Sequence, residues 1–172
     1  MVEFTLTADS SASAEDVLAA ARDFTRRRIE LWPNVSASRY EVHASGETFT
    51  EATEGAFKGI FWERSRYEWI EPDCVNQVVL DSNVLRPGST WQITAVPNGD
   101  GCHVECAFRR EFPRTPKGLF AWTINRFASE QVYGHDLHRL LHRVEATAAA
   151  PRPRVTPTGD DVRGRKVRAG VR

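Results

Sequence analysis

Sulfur is scarce in this chain, with one methionine and three cysteines in 172 residues. Cys74, Cys102 and Cys106 are an odd set with no C-x-x-C pair. Cys102 and Cys106 lie four apart in a strand-like segment, so their Cα atoms are about 13 Å apart, beyond disulfide reach. Buried free thiols are the expectation. No stretch approaches the about 20 apolar residues of a membrane span, and Met1-Val2-Glu3-Phe4 lacks a charged-then-apolar leader. Stable membrane insertion is not expected; a cytoplasmic setting is. The motifs G-x-S-x-G, G-x-x-x-x-G-K-S/T, G-x-G-x-x-G and H-E-x-x-H are also absent. That argues against an elbow-type serine hydrolase, a P-loop enzyme and a dinucleotide-binding fold.

Net charge is lacking too, with 23 basic and 23 acidic residues, but the balance is uneven along the chain. Pro151 to Arg172 carries seven basic and two acidic residues, while Met1 to Ala150 carries 16 and 21. The tail holds three of the nine prolines and no aromatic residue. Such a segment buries too little to offset its ordering entropy, so residues 151–172 are expected to be a disordered basic tail. Either it meets a weak anionic partner, nucleic acid or acidic lipid, or it is simply solvated. The remaining 1–150, in a chain that is 41% hydrophobic and 27% charged, has the length for one domain with a sizeable core.

Within that domain, Phe4, Leu6 and Ala8 alternate with polar neighbours and predict a first strand. Ser13 and Asp16 have capping-box spacing ahead of Val17, Leu18, Ala20, Ala21 and Phe24, which predicts a helix from about Ala14. Its pattern runs towards Arg26-Arg27-Arg28, where basic residues would complement the helix dipole. A short second helix or turn follows over Ile29 to Pro33. Six strand-like segments come next, with turn signals at Ser45-Gly46-Glu47, Glu71-Pro72-Asp73, Arg86-Pro87-Gly88 and, most strongly, Pro97-Asn98-Gly99-Asp100-Gly101. After Pro116 the period changes. Leu119, Phe120, Thr123, Phe127, Val132, Tyr133, Leu137, Leu140, Leu141 and Val144 predict one long helix to about Ala146, irregular near Ala128 to Gln131. Gly134, inside it, costs about 1 kcal/mol relative to alanine and marks close packing or a bend.

The order of strand, two helices, six strands and a long C-terminal helix resembles the START-like, or Bet v 1-like (SRPBCC), superfamily, of polyketide cyclase/dehydrase or lipid-transport type. Three short motifs carry the same resemblance: Leu31-Trp32-Pro33-Asn34 after the first helix, Trp69-Ile70-Glu71-Pro72 between two middle strands, and Pro97-Asn98-Gly99-Asp100-Gly101-Cys102 before the last strand. It covers about residues 3 to 146. The resemblance implies an α+β helix-grip fold, in which a curved antiparallel sheet of about seven strands wraps the long C-terminal helix and leaves a cavity. It also implies a hydrophobic small molecule or lipid as ligand, for carriage or sensing. The alternative it offers is a polyketide cyclase/aromatase-like enzyme. The superfamily shares no catalytic motif, so no catalytic residue carries over.

Strand alternation selects the side chains that face such a cavity. The expected pocket contains Phe61, Tyr67, Trp69, Trp91, Phe108 and Phe127, with Glu63 and Arg110 as its polar groups. A few placed polar groups in an apolar wall are typical of a ligand site. Arg110 suits a carboxylate or enolate, and Tyr67 can donate a hydrogen bond. The competing reading is a core filled by the aromatics, with Glu63 and Arg110 as a structural ion pair. His135, His138 and His142 fall within one sector of about 60° on the last helix, and His at i and i+4 can chelate a metal. Because Leu137, Leu140, Leu141 and Val144 centre on the opposite side, the histidines should face solvent. Neither a metal nor a cofactor is expected.

Overall fold

The computed structural model describes residues 1–149. Seven strands form one antiparallel sheet: β1 (Val2–Ser10), β2 (Tyr40–Ser45), β3 (Phe49–Ala56), β4 (Phe61–Glu68), β5 (Cys74–Ser82), β6 (Thr90–Asn98) and β7 (Gly101–Arg110). Their spatial order is β1-β7-β6-β5-β4-β3-β2. The chain lays down one edge, crosses through α1 (Ala14–Arg22) and α2 (Arg27–Leu31), and then returns hairpin by hairpin from the far edge. The last hairpin closes through Gly99 and Asp100, with Asn98 opposite Gly101 and Gly99 at φ 60°, a left-handed backbone suited to glycine. This α+β helix-grip arrangement is the one expected from element order.

Alternation sets the core. Trp91, Ile93 and Ala95 of β6 and Val104 and Cys106 of β7 are buried, while Arg109 and His103 point outward to Glu3 and Asp9. The apolar stripe Leu137, Leu140, Leu141 and Val144 packs on that face with Leu6, Ala8 and the α1 residues Val17, Leu18 and Ala21. Ser13 caps α1, accepting from the Asp16 amide at 3.1 Å while donating to its carboxylate at 2.7 Å. All three cysteines are free and buried. Among the described residues, no helix is long and apolar enough to cross a membrane.

Three local expectations are corrected. The first helix ends at Arg22, because the Asp23 carboxylate accepts from the amide and hydroxyl of Thr25 at 2.9 and 2.6 Å and turns the chain. The arginine triplet therefore opens α2 instead of closing α1. The C-terminal helix is two, α3 (Pro116–Phe127) and α4 (Ser129–Ala149), with Ala128 between them at φ −135°, ψ 18°. That break falls where the apolar stripe is irregular. Gly134 marks neither bend nor close packing: α4 runs through it, and an added Cβ would meet nothing within 4 Å. The basic tail from Pro151 to Arg172, expected to be disordered, lies outside the described residues.

Candidate functional site

A cavity of about 640 Å³ opens between the tip of the β3–β4 hairpin, the segment 33–36, the β5–β6 connection and the helices α3 and α4. Phe57, Phe61, Leu85, Phe112, Ile124 and Val132 supply its apolar wall. At its rim Phe57 and Lys58 are held at φ 50° and 59°, a left-handed backbone that costs a side-chain-bearing residue about 1–2 kcal/mol. A smaller recess of about 80 Å³ adjoins it, walled by Leu6, Trp32, Trp91, Cys106, Phe108 and Leu137. Asn34, Glu54, Glu63, Arg110, Tyr133 and Asp136 border both spaces. Polar groups thus form a belt between an outer apolar chamber and an inner aromatic one.

The belt belongs to a hydrogen-bonded chain across the sheet. Arg28, 1% exposed, donates through Nε to Glu54 Oε1 at 2.5 Å and through a terminal nitrogen to the Ala21 carbonyl at 2.9 Å. Its guanidinium carbon also lies 4.1 Å from the Phe24 ring centroid and 4.8 Å from that of Trp32. The other Glu54 oxygen accepts from the Tyr67 hydroxyl at 2.9 Å. Gln77 Nε2 donates to Ser65 Oγ at 2.8 Å and Glu63 Oε1 at 2.6 Å, and lies 3.5 Å from the Tyr67 oxygen. Glu63 Oε2 sits 3.5 Å from a terminal nitrogen of Arg110, a charge contact without hydrogen-bond alignment. Arg110 is 7% exposed, and its Nε and Nη1 have no hydrogen-bond partner among the described residues.

Burial sets the protonation states. It opposes the Arg28 charge, but Glu54 together with Tyr67 and Tyr40 outweighs it and raises the guanidinium further above its already high value. Burial, reinforced by the Glu54 charge, holds the Tyr67 hydroxyl well above its ordinary range, so it is a donor at neutral pH. Tyr133 and Asp136 are also pushed up by burial, and the Cys106 thiol rises to about 12 for the same reason.

Of the eight pocket residues read from sequence, Phe61, Glu63 and Arg110 line the cavity. Tyr67, Trp91 and Phe108 line the recess, together with Glu63 and Arg110. Trp69 borders neither space: its indole donates to the Glu47 carbonyl at 2.9 Å and its ring stacks on Phe24 at 6.3 Å. Phe127 is likewise outside both and 70% exposed, because α3 turns Gly118, Ala121 and Asn125 inward and carries Phe127 on its opposite side. Arg28, Glu54 and Gln77 escaped the sequence reading. Gln77 had a signal, since it shares the inward parity of Val75 and Val79 on β5. Arg28 is masked by its basic neighbours, and Glu54 lies on a polar strand whose alternation does not show which face is buried.

His135, His138 and His142 are all exposed, on the side of α4 away from its leucines. Glu71, Asp73 and Cys74 bring potential ligand atoms within 4.8 Å of one another at the β4–β5 turn. There the protonated Cys74 thiol, its pKa raised by burial and by Glu71, donates to Glu71 at 3.5 Å.

A seven-stranded sheet closed by helices over an internal cavity defines a helix-grip protein, and comparison with known proteins agrees. The family described as polyketide cyclase / dehydrase and lipid transport matches residues 1–145. The chain belongs to that family. No curated protein matches it significantly. Among solved structures, TTHA0849 from Thermus thermophilus superposes with a TM-score of 0.71 at 17% identity, covering 86% of this chain and 99% of that one. The Zhui aromatase/cyclase from Streptomyces sp. R1128 gives 0.69 at 13% identity, covering 86% and 96%. A START superfamily protein from Mycobacterium smegmatis gives 0.67 at 14%, covering 86% and 99%. At such identities the likeness is one of fold.

Proposed function

We propose that this protein binds a hydrophobic small molecule or lipid in the cavity between sheet and helices, for carriage or sensing. The observation that carries the reading is the cavity itself. Its volume of about 640 Å³ suits one small ligand, and its wall is mostly apolar. The family description, which includes lipid transport, supports the same reading. In this proposal Phe61 and the recess aromatics Trp91 and Phe108 hold the apolar body, while Glu63, Tyr67 and Arg110 orient it. The test is native mass spectrometry of gently purified protein, followed by titration with the neutral fluorophore N-phenyl-1-naphthylamine. Binding of a co-purified molecule or of the probe, lost in the cavity-filling variant Ile124→Trp, is expected. An apo mass with no probe binding, or probe binding indifferent to Ile124→Trp, refutes the reading.

A second reading is an enzyme resembling polyketide cyclases and aromatases, as the fold of the Zhui aromatase/cyclase invites. The observation favouring it is the buried chain Arg28–Glu54–Tyr67–Gln77–Glu63 beside Arg110. Positioned donors of this kind can hold and protonate carbonyls of a folded substrate. Under this reading the bound molecule changes mass or absorbance on incubation, and Tyr67→Phe stops the change while leaving binding within a few-fold. A bound molecule recovered unaltered speaks for carriage.

A further inference from the structure

We propose that the tip of the β3–β4 hairpin and the outer face of α3 form a peripheral docking surface for an anionic lipid bilayer. The proposal stands whatever the neighbouring cavity holds.

The first observation is the orientation of α3. It turns Gly118, Ala121 and Asn125 inward and leaves Leu119, Phe120 and Phe127 at 63%, 56% and 70% exposure. A helix on the surface of a globular protein normally does the reverse, burying its large apolar residues. Close approach fixes which face is inward. A Cβ at Gly118 would lie 2.1 Å from the Pro113 carbonyl oxygen, so no larger residue of α3 can take that place.

The same surface continues onto the hairpin tip, where Phe57 and Ile60 are 60% and 59% exposed. The Phe57 ring meets that of Phe61 at 5.4 Å, and Phe61 meets Phe120 at 6.4 Å. Every exposed phenylalanine among the described residues lies on these two elements. Single exposed apolar side chains are ordinary, but a contiguous set marks an interaction surface.

Charge names the partner. Residues 55–62 and 112–129 hold Lys58, Arg114, Lys117 and Arg126, all exposed, and no acidic residue. Yet residues 1–150 as a whole carry 16 basic and 21 acidic residues. At 100° per residue, Lys117 and Arg126 fall on opposite sides of the line from Phe120 to Phe127. An apolar helix face flanked by cations suits the plane of a bilayer interface, with rings at the acyl boundary and cations among anionic headgroups. Rings projecting from a hairpin tip and a helix face enter a soft lipid layer without needing a matching surface. Two copies of the chain packed patch to patch would set these cations against one another.

The test floats the full chain with vesicles of phosphatidylcholine alone and of equal parts phosphatidylcholine and phosphatidylglycerol. Binding to the anionic vesicles should exceed that to the neutral ones by about tenfold or more, since each Lys or Arg near such a surface contributes about fivefold. Raising the salt to about 0.5 M should weaken it severalfold. The double variant Leu119→Ser, Phe120→Ser alters no charge and leaves the basic tail intact, and should bind about tenfold more weakly or worse, through lost apolar burial. If it does not fold, Phe127→Ser decides, with a loss of severalfold expected. Undiminished binding by the folded variant assigns the lipid contact to the tail and overturns the proposal. So does a failure to bind anionic vesicles. So does a wild-type dimer in analytical ultracentrifugation that the same substitutions dissolve, because the patch then serves a second copy.

Discussion

The Arg28–Glu54 pair gives a quantitative test of the electrostatics beneath the cavity. Arg28 is 1% exposed, and its partner carboxylate is 12% exposed at the belt. Removing one member of a buried pair leaves the other charge uncompensated, at about 3–5 kcal/mol. The two deletions should not cost the same. Glu54→Leu strands a guanidinium inside a cage of Phe24, Trp32 and Tyr67, with only the Ala21 carbonyl still accepting among the described residues. It should fall at the upper end, about 4–5 kcal/mol. Arg28→Leu leaves Glu54 with the Tyr67 hydroxyl and the cavity edge, at a cost of about 3 kcal/mol. It also forfeits cation–π contacts, each worth about 1–2 kcal/mol when desolvated, which the apolar leucine partly offsets. The double variant leaves no stranded charge and should be less destabilised than the sum of the singles by about 2–3 kcal/mol. Urea unfolding followed by tryptophan fluorescence measures all four proteins. Additive singles, or a Glu54→Leu cost below about 1 kcal/mol, would refute the claim that the pair is buried and mutually dependent.

Other outcomes follow from the same structure. Gly134→Ala, at an open helical position, should stabilise the protein by about 1 kcal/mol in the same unfolding assay. Asp136 has its pKa raised by burial, so it holds its proton more tightly folded than unfolded and costs stability once it ionises. Asp136→Asn should therefore be more stable than wild type at pH 7, with the gain fading as pH falls through the carboxylate range; a gain that persists in acid would contradict the assignment. Glu145 is the opposite case. The Ser10 hydroxyl at 2.8 Å and the Ser11 amide at 3.0 Å lower its pKa, so Glu145→Gln should destabilise at neutral pH and converge on wild type as pH falls through that range. Cys106, 3% exposed with its thiol pushed up to about 12, should react with iodoacetamide far more slowly than a free thiol. A ligand filling the recess it lines should slow it further.

Element order, the hairpin at Gly99 and Asp100, the Ser13 cap and the inward sets of β6 and β7 were all legible in the sequence. Each depends on residues close together in the chain, where strand alternation and turn chemistry operate. The long apolar stripe in the C-terminal region showed as well, and its irregularity marked where α3 and α4 divide. The tertiary structure decided what these elements bring together. Arg28 meets Glu54 across 26 positions, and Arg110 meets Glu63 across 47, only because α2 folds onto the sheet and β7 shares its concave face with β4. No local period records such pairings. Nor could composition distinguish a filled aromatic core from a chamber of about 640 Å³, since the same side chains serve either. Burial made the difference at the belt. It leaves two donors of Arg110 without protein acceptors beside a carboxylate that already balances their charge.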